Sequence, residues 1–375
     1  MKLTIERSTL LSSLAHVQSV VERRNTIPIL ANVRIDAQGS DRLRLTATDM
    51  DLAVVDEADA AVEQEGAVTT TALTLYDIVR KLPDGAQVSM NLDGSDGGQL
   101  DVISGRSRFR LSCLPIAEFP VMADDDLPHS FELPRDHLRR LIDKTRFAIS
   151  TEETRYYLNG IHLHKAEDQE GIARLRAVAT DGHRLSCADV ALPEGAADVP
   201  AVIVPRKTVA EVRKLIDDGD EPVSVALSET RIRFEVGAAQ LTSKLIDGSF
   251  PDYERVIPRG NQNVMTVANG SFAEAVDRVS SISTDRSHAI KLSIRPGAVT
   301  LTASSPDTGT ATEELDADYG AEPLDIGLNA RYVLDVAGQI ESDSIRFFFG
   351  DAGSPSLVRD TGDSGALHVI MPLRV

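Results

Sequence analysis

The chain has 375 residues and carries 58 Asp and Glu against 39 Lys and Arg, a formal net charge of −19 at pH 7. It is too long for one ordinary hydrophobic core, whereas a third of it is a typical domain. The start, MKLTIERST, lacks the apolar segment of a signal peptide, and no apolar run reaches membrane-spanning length. We therefore expect a cytoplasmic protein with no membrane contact. Cys113 and Cys187 show no metal or disulfide spacing and predict buried thiols.

Apolar residues recur at helical spacing in six stretches, and short alternating stretches typical of antiparallel strands separate them. The predicted helices lie at residues 6–24, 72–82, 134–150, 205–216, 269–283 and 329–340. Capping boxes are predicted at Thr74 with Asp77 and at Ser271 with Glu274. The helices must bury their apolar stripes against sheets. The predicted fold class is therefore α+β, with two helices packed on antiparallel sheets in each of the repeated domains described next.

The chain contains a threefold internal repeat. The strand and turn at 172–187 resemble 42–56 upstream and, more weakly, 299–314 downstream. The sequence Arg-Lys-Leu at 80–82 and 213–215 and the pair Phe-Pro at 119–120 and 250–251 recur at nearly the same offset. Since these features share one offset, we predict three similar domains, with boundaries giving residues 1–127, 128–257 and 258–375.

The charge is unevenly distributed along the chain. The six helical windows hold 16 Lys and Arg against 9 Asp and Glu, whereas the remainder holds 23 against 49. A net negative chain usually argues against a nucleic-acid partner. Here the positive charge is concentrated on helices, and similar units joined end to end tend to form a curved array. If such an array closes, its helix faces can line a hole.

Catalytic and metal sites have weak support in the sequence. Asp181, His183 and Arg184 form a polar cluster, but no nucleophile accompanies them at recognisable spacing. An enzyme that uses this cluster is the alternative from another functional class. His162 and His164 share a strand face without a third ligand, so we expect a solvated strand and no metal site.

Tyr156 and Tyr157 follow a polar segment and Arg155. Adjacent aromatic rings on a loop can stack on bases. The sequence equally allows one ring in the core and one at the surface.

Several motifs in fixed order together resemble the bacterial sliding clamp family, the beta subunit of DNA polymerase III. They are TIPIL (26–30), SGRSRF (104–109), RYYLNG (155–160), TDGHRL (180–185), TSKLIDGSFPDY (242–253) and MPLRV (371–375). The resemblance spans the whole chain. It implies three repeated domains of the DNA-clamp type and a homodimer whose six domains form a ring, with helices inside and sheet outside.

The resemblance also implies the function. A clamp of this family is a non-catalytic processivity factor without cofactor that encircles duplex DNA, independently of sequence, and slides along it. Its partners are replicative and repair DNA polymerases, an ATP-driven clamp loader and a second copy of the chain. A paralogue specialised for repair or antibiotic resistance would share the same fold.

By position, the resemblance implies three sets of site residues. The protein-binding cleft would comprise Arg155, Leu158, Thr180, Gly182, His183, Arg184, Leu185, Pro251, Arg255, Val256, Asn329, Tyr332, Val369, Ile370, Met371, Pro372, Leu373 and Arg374. The DNA contacts would be Arg24, Arg80, Tyr156, Tyr157, Arg206 and Lys207. The dimer seam would join an edge strand with Phe109 and Leu111 to Arg278, Ser281 and Ile282 of the third domain.

Overall fold

A computed structural model of the chain describes residues 1–22, 26–93, 98–122, 126–168, 170–217, 219–283 and 288–374. The α-helices of these ranges are α1 (Arg7–Gln18), α2 (Ala72–Lys81), α3 (Arg135–Asp143), α4 (Arg206–Leu215), α5 (Asn269–Ser280) and α6 (Ala330–Ala337). Each of the six predicted helical windows therefore contains a helix, although α1 ends at Gln18 and α3 at Asp143, before the predicted ends at residues 24 and 150. No helix in the described ranges is both long enough and apolar enough to span a membrane.

The strands fall into two runs along the chain. The first run is β1 (Lys2–Glu6), β2 (Asn32–Gln38), β3 (Arg42–Thr48), β4 (Leu52–Asp59), β5 (Ala61–Gln64), β6 (Gly66–Thr71), β7 (Gln87–Asp93), β8 (Gln99–Ser104), β9 (Ser107–Leu114), β10 (His129–Leu133), β11 (Gly160–Glu167), β12 (Ala173–Thr180) and β13 (Arg184–Ala191). The second run is β14 (Val202–Pro205), β15 (Val223–Leu227), β16 (Arg231–Val236), β17 (Ala239–Lys244), β18 (Asn263–Ala268), β19 (Ala289–Arg295), β20 (Ala298–Ser305), β21 (Gly309–Asp316), β22 (Asp318–Tyr319), β23 (Leu324–Asn329), β24 (Ser344–Phe349), β25 (Ser356–Asp360) and β26 (Ala366–Ile370).

The helix ends differ from the sequence prediction. Helix α1 begins after Glu6, whose carboxylate accepts hydrogen bonds from the backbone N–H groups of Ser8 and Thr9 at 2.7 and 3.1 Å. The two predicted capping boxes are wrong. Helix α2 starts after Thr71 and helix α5 after Ala268, so Thr74 and Ser271 lie inside the helices.

The chain divides into two compact units. The first comprises Met1–Leu138, Pro193–Pro200 and Lys207–Leu245, and the second comprises Arg139–Leu192, Ala201–Arg206 and Ile246–Val375. The predicted middle domain, residues 128–257, is thus shared between two units. Strand pairing explains why, because β17 pairs with β4 in the first unit and β13 pairs with β26 in the second.

The first unit contains one antiparallel sheet with the strand order β10-β15-β16-β17-β4-β3-β2-β6-β9-β8-β7-β1-β5. Along its strands buried and accessible residues alternate. In β3, for example, Leu43 and Leu45 are fully buried while Arg44 is half-buried. Helices α1 and α2 pack on each other, and α1 also covers β3 and β4. One sheet face therefore supports the helices and the other carries polar side chains.

The second unit contains two antiparallel sheets. Their strand orders are β14-β11-β12-β13-β26-β25-β24-β18-β22 and β21-β20-β19-β23. The rings of Phe272, Phe347 and Phe349 are fully buried, with centroid distances of 5.4 Å for Phe272–Phe347 and 5.7 Å for Phe347–Phe349. These aromatic rings help to hold α5 and α6, which pack on each other, against the sheets.

Both cysteines, Cys113 and Cys187, are free and buried. Burial raises the pKa of the Cys187 thiol to about 12. The prediction that both thiols are buried is therefore confirmed.

Candidate functional site

The turn that joins β12 to β13 is fixed by its own side chains. Thr180 Oγ1 donates to the Arg184 carbonyl at 2.6 Å and accepts from the Gly182 N–H at 3.1 Å. The Asp181 carboxylate accepts from the N–H groups of His183 and Arg184 at 2.9 and 3.0 Å. The turn is therefore preorganised.

Gly182 is required at this turn for two reasons. Its φ is +87°, a conformation that side chains disfavour, and a Cβ there would lie 2.4 Å from Nη1 of Arg155. Arg155 in turn is held by Glu152, with Nε to Oε2 at 2.8 Å and Nη2 to Oε1 at 2.7 Å. Because Gly182 has no side chain, the Arg155 guanidinium can lie close to the backbone of the turn.

The guanidinium group of Arg184 is hydrogen-bonded to other residues of the second unit. Its Nε donates to Asp181 at 3.1 Å, its Nη2 donates to the Phe147 carbonyl at 2.6 Å, and its Nη1 pairs with Asp335. The guanidinium also lies over the rings of Tyr332 at 4.4 Å and Phe147 at 5.2 Å. Only 11% of the side chain is exposed. Arg184 therefore holds Tyr332 and α6 to the turn.

The carboxyl-terminal segment runs beside this turn. In the β13–β26 ladder, Leu185 lies opposite Val369. Beyond β26, the N–H of Met371 donates to the His183 carbonyl at 2.9 Å, and the N–H of Leu373 donates to the Gly327 carbonyl at 2.8 Å. The tail thus connects the turn to β23, which leads into α6.

Aromatic and apolar groups are accessible around this junction. The rings of His183 and Tyr332 are stacked with centroids 6.4 Å apart, and Asn329 Oδ1 caps α6 by accepting from the N–H of Tyr332 at 3.3 Å. Met371 is half-buried beside the turn. Val256, another residue of the implied cleft, is 40% exposed. Because the turn that carries His183 is held by its own hydrogen bonds, the His183 and Tyr332 rings form a preorganised aromatic surface.

The other residues of the implied cleft differ in how far they are buried. Four of them, Leu158, Leu185, Val369 and Ile370, are buried in the core. The half-buried ones are Pro372 and Leu373, and the exposed ones are Arg374, Pro251 and Arg255. Arg255 Nε pairs with Asp252 at 2.6 Å.

Three residues that support this surface were not predicted from the sequence. Phe147 and Asp335 fix Arg184, and Tyr253 packs in a cluster with Leu185 and Val369. Asp335 could have been found, since it lies three residues after Tyr332 on the same helix. Phe147 contacts Arg184 through its backbone carbonyl and its ring, and the carbonyl contact leaves no sequence signal.

The histidine pair of β11 is not solvated as expected. His162 stacks on His164 with centroids 4.5 Å apart and on Phe250 at 4.7 Å. Burial lowers the pKa of His162 to about 4 and also lowers that of His164. The expectation of a solvated strand is wrong because Phe250 and Tyr253 cover these rings. No group of three or more His, Cys, Asp or Glu side chains that could hold a metal ion occurs among the described residues.

The implied DNA contacts have different surroundings. Arg24 lies outside the described residues. In the first unit, Arg80 is half-exposed beside Asp77 at 3.0 Å, whereas Lys207 bonds to both Glu22 and Asp49. Lys207 is thus already neutralised locally, and these partners raise its pKa against the opposing effect of burial.

In the second unit, Tyr156 is exposed and meets the half-buried Tyr157 edge to face at 5.7 Å. Arg206, the first residue of α4, is exposed. Two cations from the basic helical windows are not available to a ligand, since Lys144 is buried against Glu341 and Arg140 pairs with Asp363 at 2.7 Å.

The implied dimer residues lie within β9 in the first unit and in the last turn of α5 or just after it in the second unit. Phe109 and Leu111 belong to β9, which is not the edge strand of its sheet, yet its pairing with β6 involves only Cys113 and Leu114. The ladder from Ser107 to Ser112 therefore has one open side. In the second unit, Arg278 Nη2 pairs with Glu313 at 2.7 Å, and Ser281 Oγ donates to the Asp277 carbonyl at 3.1 Å. Ile282 is half-buried beside this cluster.

Helices packed on antiparallel sheets, which the described residues form in both units, are the architecture expected of the DNA-clamp class. Models of the DNA polymerase III beta subunit match the chain three times: the N-terminal domain at residues 1–123, the central domain at 132–252 and the C-terminal domain at 254–374.

The beta sliding clamp of Caulobacter vibrioides is 55% identical over 375 residues, and that of Escherichia coli K12 is 37% identical over 377, each match covering 100% of both chains. Among solved structures, a Caulobacter crescentus clamp has a TM-score of 0.96 at 55% identity, covering 100% of this chain and 99% of that one. A Bartonella birtlesii clamp bound to griselimycin has a TM-score of 0.96 at 48% identity and full coverage of both chains.

The chain belongs to the DNA polymerase III beta subunit family, the bacterial sliding clamps. It is a processivity factor of DNA replication and not an enzyme. The alternative of catalysis by Asp181, His183 and Arg184 is therefore wrong, in keeping with the structural use of Asp181 and Arg184 in the turn.

Proposed function

We propose that two copies of this chain form a ring of six domains around duplex DNA and tether DNA polymerases through a peptide-binding cleft. The ring slides because a cationic lining attracts phosphates without reading base edges, so binding energy is nearly uniform along the duplex. An ATP-driven loader opens and closes the ring. Since its substrate is replicating DNA, the protein works in the cytoplasm. The three domains are bounded at about residues 127 and 257.

The cleft is centred on the junction of the Thr180–Leu185 turn, α6 and the carboxyl-terminal tail. The observation that carries this assignment is the bond between Met371 N–H and the His183 carbonyl beside the stacked His183 and Tyr332 rings. These rings and Met371 supply apolar surface, while the guanidinium group of Arg155, oriented by Glu152, is offered to a peptide's polar atoms. Arg184 positions Tyr332. The buried members of the implied set form the base of the cleft.

DNA is contacted by exposed groups of the helix-bearing faces. Arg206, Arg80 and Tyr156 are the accessible candidates. Lys207 contributes less, because Glu22 and Asp49 already neutralise it. Arg24 completes the set from the family resemblance.

The dimer forms by strand addition between sheets. Residues 107–112 of β9 have one open side, and β21 is the free edge of its four-stranded sheet. Antiparallel pairing of β9 with the partner's β21 would satisfy both edges. Phe109 and Leu111 would then pack near the segment that contains Arg278, Ser281 and Ile282.

A tail deletion tests the cleft. Removal of Met371–Val375 leaves β26 intact, because that strand ends at Ile370. We expect loss of polymerase stimulation in a primer-extension assay, with the dimer mass unchanged in analytical ultracentrifugation. Loss of both polymerase stimulation and dimer formation would mean that the tail is a structural element and not part of the cleft.

A further inference from the structure

A groove on the nine-stranded sheet lies entirely in the second unit and shares no residue with the implied cleft. Its volume is about 800 Å³. Strands β11, β12, β24, β25 and β26 contribute lining residues, as do the segments 254–261 and 361–364. Three of the lining side chains, Phe348, Leu357 and Leu367, pack in one hydrophobic cluster. The groove thus combines an apolar surface with charged groups.

Two arginines of this groove stand directly opposite each other. Arg346 on β24 is the ladder partner of Arg359 on β25, and both residues are half-buried. Within the part of the chain that the structure describes, neither guanidinium group forms an ion pair or a hydrogen bond. Like charges at directly opposite ladder positions repel each other. An anion held between the two guanidinium groups would remove this repulsion.

The other two repeats do not carry this pair. In each repeat a strand follows the second helix: β7 follows α2, β15 follows α4 and β24 follows α6. The first accessible residue after the first buried position of these strands is Ser89, Ser224 and Arg346. The ladder partner of Ser89 is Ile103, and that of Ser224 is Glu235. The opposed arginines therefore belong to the third repeat and are not required by the shared fold.

Most carboxylates of the groove are already bonded within the chain. The carboxylate of Asp360 accepts hydrogen bonds from three backbone N–H groups. Asp363 accepts from Nη2 of Arg140 at 2.7 Å, and Asp168 accepts from Nε of Arg174 at 2.8 Å. These acidic groups therefore have partners that leave the opposed arginines unmatched.

The remaining charged groups do not match the opposed arginines either. Glu254 lies 3.6 Å from Nη2 of Arg259, and Arg176 is bound by Asp189 at 2.6 and 2.7 Å. Glu167 is exposed at the end of β11. Next to it in the chain, position 169 lies outside the described residues, but it is a glutamine and carries no charge.

The charges that surround the arginines favour a small anion. Five carboxylates and four guanidinium groups line the groove, so it is not cationic as a whole. A dianionic phosphate group would be repelled by these carboxylates more strongly than a single carboxylate would. One carboxylate placed between two guanidinium groups can accept hydrogen bonds from both.

We propose that this groove binds a peptide segment of a partner protein that carries one acidic residue and, two positions further on, a large apolar residue. The carboxylate lies between Arg346 and Arg359, and the apolar side chain packs on Phe348. Phe348 follows Arg346 by two residues on the same strand, a distance of about 7 Å. An extended peptide presents alternate side chains at the same spacing, so both contacts form together.

The probe is the pentapeptide Gly-Glu-Gly-Trp-Gly, acetylated and amidated at its ends so that the glutamate is its only charge. Saturation-transfer NMR with the full-length protein at low salt measures its dissociation constant. Arg346→Gln and Arg359→Gln should each weaken binding by about tenfold, because each removes a charge-assisted contact. The neutral peptide Gly-Gln-Gly-Trp-Gly should bind the unaltered protein more weakly by a similar factor.

Arg295→Gln is the matched control. Arg295 lies on β19 in the other sheet of the second unit, pairs with Asp325 at 2.9 Å and does not line the groove. Its variant has the same change of net charge and should bind within about twofold of the unaltered protein. Equal losses in Arg295→Gln and Arg346→Gln would reduce the effect to overall charge and overturn the proposal.

Thermal melting separates a binding role from a structural one. The melting temperatures of Arg346→Gln and Arg359→Gln should not fall, since each change removes a like-charge repulsion. A clear fall would show that the arginines serve the fold and would overturn the proposal. So would absence of binding to the unaltered protein, or displacement of the peptide by an equal concentration of inorganic phosphate or of a short DNA duplex. Because the assay needs neither loaded DNA nor polymerase, its failure leaves the ring function untouched.

Discussion

His368 is a buried histidine near the cleft, and its protonation is expected to make the stability of this region depend on pH. It lies on β26, three residues before Met371, and is fully buried beside Phe147 and Ser186. The hydroxyl of Ser186 donates to the Lys144 carbonyl, so it accepts a hydrogen bond from the Nδ1–H group of His368 at 2.8 Å. Burial lowers the pKa of His368 to about 3. The ring is therefore neutral in the folded chain at ordinary pH.

The sign and size of the pH effect follow from linkage. The unfolded chain binds a proton at this histidine near its ordinary pKa of about 6.5, whereas the folded chain binds it only near 3. Between these values the unfolded state binds more protons, so the stability that His368 contributes is present above pH 6.5 and is lost as the pH falls. From pH 7 to pH 5 the loss is about 2 kcal/mol.

Native-state amide hydrogen exchange measures this loss where it acts. After correction for intrinsic exchange, the opening free energy of the Leu185 and Val369 amides should fall by at least about 2 kcal/mol between pH 7 and pH 5. His368→Gln should reduce this loss by about 2 kcal/mol, because glutamine does not titrate, while His137→Gln, at a half-buried position on α3, serves as the control. An unchanged slope in His368→Gln would refute the reasoning.

Two further predictions concern the cleft and the DNA contacts. Gly182→Ala should cost about 1–2 kcal/mol of stability through its positive φ and should displace Arg155. Calorimetric titration with a polymerase cleft-binding peptide should then show affinity weaker by about tenfold; unchanged affinity would place the turn outside the cleft. Arg206→Gln should lower affinity for duplex DNA and reduce the salt slope by about 1, whereas Lys207→Gln should change both little because Glu22 and Asp49 already pair with it. If Arg206→Gln and Lys207→Gln lowered DNA affinity equally in a filter-binding assay, the proposed difference between these two residues would be contradicted.

The helices and the repeat were predictable because their signals are local. Apolar spacing placed every helical window, and a shared offset revealed the repeat. The strand order was less accessible, since the pairing of β17 with β4 and of β13 with β26 joins segments more than 170 residues apart along the chain. Nothing in the alternation of one strand specifies its neighbour at that distance.

The site was predictable in membership more than in role. The motif resemblance brought His183, Tyr332 and Met371 into one set, and contacts join these residues in the folded chain. It did not indicate that the guanidinium group of Arg184 is already bonded to Asp181, Asp335 and the Phe147 carbonyl. Such contacts depend on the folded positions of three separate elements, so residue type alone does not distinguish a ligand-binding arginine from a positioning one.

We propose that this protein holds DNA by topology, as a closed ring around the duplex. Covalently cross-linked dimers loaded on a nicked circular plasmid should co-elute with the DNA in gel filtration, even at salt high enough to screen phosphate contacts. After the plasmid is linearised, the rings should slide off the ends and elute as free protein. Equal retention on circular and linear DNA would contradict an encircling ring.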